Sequence, residues 1–206
     1  MKTLANSTDE DLLQLMITGS EDAFTTVYRR WQGNVYRFAL QMTGSRTQAE
    51  EVIQDTFMVL IQEAERFDTA RGSFSSYLYG IARNCVRRVV GRDRLFILTS
   101  ATEPEIAAVI TQFATEEDPM DELTRSETIE TVRQAVSALP VHYREVVVLC
   151  DLHEMSYTKA ASVLGCSIGT VRSRLHRGRS FLIQKLQGIE KPEFNLRKNT
   201  CVRSLV

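Results

Sequence analysis

The stretch 156–179, SYTKAASVLGCSIGTVRSRLHRGR, most narrows what this chain can fold into. Its pattern is that of two helices crossing steeply about a short turn. Such a crossing needs a small residue where the backbones approach, which Ala161 supplies, and a turn residue that tolerates positive φ, which Gly165 supplies. Val171 gives the second helix a branched apolar anchor against the first. Ser167 is placed to cap that second helix, whose outer face carries arginines and no acid. A plain helical corner with a solvated basic face would share the crossing. The acid-free arginine run, combined with the spacing of Ala161, Gly165 and Val171, favours DNA reading over that alternative.

The remainder of the chain is helical by its apolar periodicity, and no stretch alternates as a strand would. Ser7 or Thr8 caps a first helix with Leu12, Leu13, Met16 and Ile17, stopped by Gly19. A second starts at Ser20, steps through Phe24, Val27, Tyr28, Trp31, Val35, Phe38 and Met42, and ends at Gly44. A third spans about 47–64, with Val52, Ile53, Thr56, Phe57, Leu60 and Ile61 as its apolar stripe. The segment RFDTARG is a loop, after which Ser73 caps a fourth helix through about Gly91. Periodicity lapses over 94–122, apart from a possible short helix near 106–113. It resumes with a helix ending before Pro140 and another from Val141 to about Leu152. The expected fold is all-α: two small helical domains, 8–93 and 123–187, joined by a flexible acidic linker at 94–122 and followed by a mobile tail at 188–206. The second domain contains the helix-turn-helix.

The net charge of −1 is unusual for a DNA binder, but the total conceals segregation. Residues 79–94 sum to +4, residues 103–130 to −8 and residues 172–185 to +5. Two basic patches separated by an acidic connector point to two nucleic-acid contacts, each weak alone, and hence to a partner that supplies affinity. Nothing resembles an active site. His142, His153 and His176 are scattered, no Gly-rich phosphate loop follows a strand, and the acids at helix starts complement helix dipoles. The four cysteines show neither a CxxC pair nor zinc spacing, so no metal or cofactor is expected. No apolar run could span a bilayer and no signal pattern opens the chain, which leads us to expect a cytoplasmic, non-enzymatic protein.

The fourth helix and its approach, FDTARGSFSSYLYGIARNCVRRVVGR, place Phe67, Phe74 and Tyr77 beside Arg83, Asn84, Arg87 and Arg88. Rings that stack on unpaired bases beside arginines that hold phosphates suit single-stranded DNA, at about 1–3 kcal/mol per stacked base. Asn84 can bond the edge of an extruded base. Leu78, Ile81, Ala82 and Val86 belong to the core by spacing.

The segments AFTTVYRRW, VYRFALQMTGS, AEEVIQDTFMVLIQE, FDTARGSFSSYLYGIARN and ALPVHYREVVVLCDLHEMSYTKAASVLGCSIGTVRSRLHRGR follow in order. Together they resemble a bacterial RNA polymerase sigma factor of the extracytoplasmic-function type, over nearly the whole chain. The resemblance implies partners: the polymerase core, through the clamp helices of its largest subunit; promoter DNA, both duplex and single-stranded; and an anti-sigma factor. It implies polymerase-core binding by Glu50, Glu51, Gln54, Asp55 and Phe57. It implies a pocket for a flipped minus-ten base between Phe67 and Phe74, with Asn84 at a base-contacting position. It also places Thr170, Arg172, Ser173, His176 and Arg177 against the minus-thirty-five major groove. Tyr157 and Lys159 fall within reach of phosphates. Ile168, Val171 and Leu175 face inward by helical spacing. The chain departs from the family at Tyr77, where tryptophan is usual, and at His176, so the minus-thirty-five sequence does not carry over. A stand-alone regulator with a carboxy-terminal helix-turn-helix is the competing reading; it calls for a ligand pocket or phosphoacceptor that the sequence does not display.

Overall fold

Short polar caps set the helix boundaries in the computed structural model of the chain, which describes residues 4–70, 72–100 and 123–189. After a 3₁₀ turn at Leu4–Asn6, the helices are α1 (Asp9–Ile17), α2 (Glu21–Thr43), α3 (Arg46–Gln62) and α4 (Phe74–Ser100). They continue as α5 (Leu123–Ser137), α6 (Val141–Val147), α7 (Tyr157–Leu164) and α8 (Ile168–Ile189). Thr8, Ser20, Ser45, Ser73, Ser156 and Ser167 each accept the backbone N–H three residues on, at 3.1–3.4 Å, removing one orphan donor per helix. No strand occurs among the described residues.

Some boundaries differ from expectation. Helix α4 runs past the anticipated end near Gly91 to Ser100, since no cap or proline stops it there. Helix α3 ends at Gln62, two residues short, and a 3₁₀ turn at Ala64–Arg66 leads into the loop. Helix α6 loosens into a π-helical turn at Val148–Leu152, where His153 N–H reaches back to Val148 O. The short helix expected near 106–113, and Cys201, lie outside the described residues.

Helices α1–α4 form one bundle and α5–α8 a second. Leu12, Leu13, Val27, Val35, Phe38, Val52, Leu60, Leu78 and Val89 fill the first core; Val146, Val148, Leu149, Val171 and Leu175 fill the second. Each such side chain contributes about 1.5–3 kcal/mol by leaving water, far more than an exposed ion pair. Two residues expected to face inward do not. Ile61 is 50% exposed and Ile168 is exposed, because each lies at the edge of its stripe where, among the described residues, no neighbouring helix covers it.

The bundles are packed against each other, chiefly α4 on α7 and α2 on α5. Arg144 donates to Met42 O at 2.8 Å, satisfying a carbonyl at the end of α2 from the other bundle. His153, projecting from the π turn, sits between Tyr79 and Gln41 of the first bundle.

Candidate nucleic-acid interface

The geometry of the helix-turn-helix in the second bundle begins with backbone. Gly165 ends α7 at φ +64, and its N–H, with that of Cys166, returns to carbonyls of the last turn. Ser167 then starts α8, accepting from Thr170 N–H at 3.1 Å. Val171 and Leu175 are buried beneath α8, while Arg172, Ser173, His176 and Arg177 are exposed on its outer side. Thr170 is half-buried and spends its hydroxyl on Ser167 at 2.9 Å. Tyr157 and Lys159 stand exposed on the first turn of α7, and the Arg172 guanidinium lies 6.0 Å from the Tyr157 ring centre. Arg179 is committed elsewhere: it forks onto Asp151, with Nε at 3.1 Å and Nη2 at 2.6 Å, and ties α8 to the π turn.

Gly178 is a residue that sequence reasoning missed. A Cβ there would lie 2.8 Å from Val147 Cγ2 and 3.5 Å from Tyr143 Cβ, so glycine lets α8 approach α6 closely. The signal was present: a glycine inside a helix costs about 1 kcal/mol, which asks for a packing reason.

The first bundle holds the expected strand-binding residues in less uniform states. Phe67, Tyr77 and Asn84 line one cavity of about 320 Å³, together with Ser73 and Gly80. Tyr77 and Phe67 rings meet at 5.4 Å, and the Tyr77 hydroxyl donates to Glu63 O at 2.8 Å. Burial first, and the Glu63 charge second, push that phenol above its ordinary range, so it remains a donor. Phe74 does not join them as a stacking surface. It is 1% exposed, clasped edge-on by Trp31 at 5.9 Å and Phe67 at 6.1 Å, and its faces are consumed by the core. Its part is to buttress Phe67.

The arginines of α4 point to different partners. Arg83 grips Glu145 of α6 through Nε at 2.6 Å and Nη2 at 3.2 Å, and Arg87 adds a contact at 3.2 Å. Arg88 turns the other way and pairs with Asp55 of α3 at 2.9 Å; Arg92 pairs with Glu51. Arg88 therefore does not share a face with Arg83 and Arg87. Asn84 is exposed at the cavity rim.

On α3 the expected core-binding set also divides. Glu50 and Gln54 are exposed, whereas Glu51 and Asp55 are engaged by Arg92 and Arg88. Phe57 is 3% exposed and packs on Tyr28 at 4.8 Å, so it cannot touch a partner directly. Sequence periodicity missed Met58, which at 54% exposure stands beside Ile61 on the uncovered side. Two large apolar side chains near Gln54 make that face a better protein-docking surface than charges alone.

Residues 27–95 match the Sigma-70 region 2 family and residues 129–182 the Sigma-70 region 4 family. The ECF RNA polymerase sigma factor SigC of Mycobacterium tuberculosis is 30% identical over 188 residues, spanning 88% of this chain and 94% of that protein. The chain belongs to the ECF sigma factors. Similarity extends to the ECF RNA polymerase sigma factor SigW of Bacillus subtilis, 28% identical, covering 83% of this chain and 92% of that one. Among solved structures, CnrH in complex with the cytosolic domain of CnrY superposes with a TM-score of 0.65 at 24% identity, over 88% of this chain and 99% of that chain. The sigma factor RpoE of Bartonella quintana, solved with the anti-sigma factor NepR, gives 0.62 at 22%, over 80% and 96%. Both likenesses concern the fold. Region 2 of this ECF factor thus lies within the first bundle and region 4 within the second, and no helix among the described residues is long and apolar enough to cross a membrane.

Proposed function

We propose that this ECF factor directs RNA polymerase to promoters by dividing the work between its bundles. The segment 123–187 engages minus-thirty-five duplex: Arg172, Ser173, His176 and Arg177 face the major groove, Thr170 shapes the first turn, and Tyr157 and Lys159 hold phosphates. The segment 8–93 binds the polymerase clamp helices through Glu50, Gln54, Met58 and Ile61, with Glu51 and Asp55 available once Arg92 and Arg88 release them. Its Phe67, Tyr77 and Asn84 receive an unpaired minus-ten base, and Arg83 and Arg87 take the adjoining phosphates. Core polymerase fixes the separation of the two contacts, so weak surfaces act at high effective concentration without nucleotide hydrolysis. The CnrH and RpoE structures contain CnrY and NepR, and a polypeptide inhibitor of that kind is the regulator we expect for this chain.

The observation that carries the reading is α8 itself. Its four outward side chains are exposed on one side, while Val171 and Leu175 anchor the other and Ser167 leaves the amino terminus open. Run-off transcription with purified core on a promoter library tests it. Replacing Arg172 and Arg177 with alanine should each cost about 1–3 kcal/mol in promoter binding, a loss of roughly fivefold to 150-fold. The same variants should initiate normally on a template already melted at minus ten. Tight operator binding by the protein without core would instead favour the stand-alone regulator.

A further inference from the structure

We propose that Glu145 is an internal latch, a carboxylate that takes the place of a DNA phosphate on Arg83 and Arg87 and holds the free protein closed. The inference rests on the assignment of α4 to strand capture. Glu145 is 2% exposed, and a carboxylate that deep is costly unless cations meet it. The two guanidinium groups that meet it belong to the other bundle, 62 residues away in sequence for Arg83. Arg83 presents Nε and Nη2 to the two carboxylate oxygens, the same fork with which arginine grips a phosphate. Its Nη1 also leans on Val163 O at 3.4 Å, and Val163 with Ser162 forms one wall of the cavity that Phe67, Tyr77 and Asn84 line. One docking event therefore occupies the phosphate-holding arginines and walls the base cavity. Opening it leaves no charge stranded, since water solvates Glu145 and DNA phosphates replace it on the arginines. A strand and the latch compete for the same two cations, so binding of either shifts the population away from the other.

The test uses the full chain without polymerase. Small-angle X-ray scattering reports compaction, and fluorescence anisotropy reports affinity for a labelled mixed-sequence single strand of about twenty nucleotides. Glu145→Gln keeps the shape and removes the charge. It should expand the particle and tighten strand binding by about tenfold, the worth of a lost charge-assisted bond. An unchanged scattering profile overturns the latch, whether or not affinity changes. Expansion with unchanged affinity leaves the latch standing and counts against strand capture by α4. Should circular dichroism show Glu145→Gln unfolded, a charge exchange decides. Arg83→Glu alone should expand the protein, and combining it with Glu145→Arg should restore compaction. Failure to restore it overturns the proposal.

Discussion

Helices α4 and α8 are both rich in arginine, yet they stand in opposite states. On α8 the side chains of Arg172 and Arg177 are exposed beside Ser173 and His176. On α4, Arg83, Arg87, Arg88 and Arg92 are each engaged by a carboxylate, from α6 for the first two and from α3 for the others. The residue type is the same in the two helices, and what differs is the surroundings. On α8 only part of the set is committed: Arg179 is taken by Asp151, while Arg172 and Arg177 stay exposed. A helix between two neighbours shares its cations with whatever acids those neighbours present. One protein thus carries an arginine-bearing helix face that is open, which we propose reads duplex DNA, and another closed by carboxylates, which we propose must be uncovered before it can hold a strand.

The comparison breaks most visibly if α8 loses its footing. Leu175 is buried beneath α8, and Leu175→Ala should destabilise the fold by about 2–5 kcal/mol. Thermal denaturation followed by circular dichroism measures this, and an unchanged midpoint would show that α8 is held by its exposed side alone.

Acidity should sharpen the contrast from the α4 side. His153 Nε2 donates to Gln41 Oε1 at 2.9 Å and Nδ1 accepts the Tyr79 hydroxyl at 2.8 Å, an arrangement of neutral imidazole. Burial, aided by the Arg37 charge, lowers its pKa from 6.5 to about 4, while burial raises Tyr79 to about 12 and keeps it a donor. Above pH 6.5 the ring is neutral whether the bundles are docked or apart, so the contact carries no proton penalty. Between 6.5 and about 4 only the separated state takes up the proton, and the docked state loses about 1.4 kcal/mol per pH unit. Near pH 5 that loss is about 2 kcal/mol, and below 4 it levels off. Scattering at pH 5 should show a more extended particle than at pH 7.5, and His153→Phe should remove the difference. A compaction that ignores pH would show that His153 is not part of the docked contact.

The smallest effect separates two adjacent arginines. Arg88 pairs with Asp55 in an exposed setting, so Arg88→Ala should cost less than about 1 kcal/mol and leave compaction unchanged. Arg87→Ala, which removes a contact to Glu145, should loosen the docked state. Equal effects of the two on scattering would show that the faces of α4 carrying Arg87 and Arg88 contribute alike to docking.

Much of the local architecture could be read from residue order, because its causes are local. Ser167 and Gly165 act within one turn of where they stand, and Val171 follows from a period of 3.6. The same period could not tell which side of a stripe's edge would be covered. It put Ile61 and Ile168 in the core, where packing leaves both exposed, while Phe57, which it placed correctly in the stripe, and Phe74 were assigned ligand contacts on other grounds that their burial removes. Periodicity gives a face, whereas burial depends on how far the neighbouring helix extends over it.

The amino-acid order by itself determined the helices, their caps, the steep turn before α8 and the membership of the chain among ECF sigma factors, since each is encoded within a few residues or in motifs that follow in register. Tertiary structure alone decided which arginines are available. A guanidinium and a carboxylate separated by 33 or 62 positions have no common signal along the chain, and they meet only when two packed helices bring them within about 3 Å.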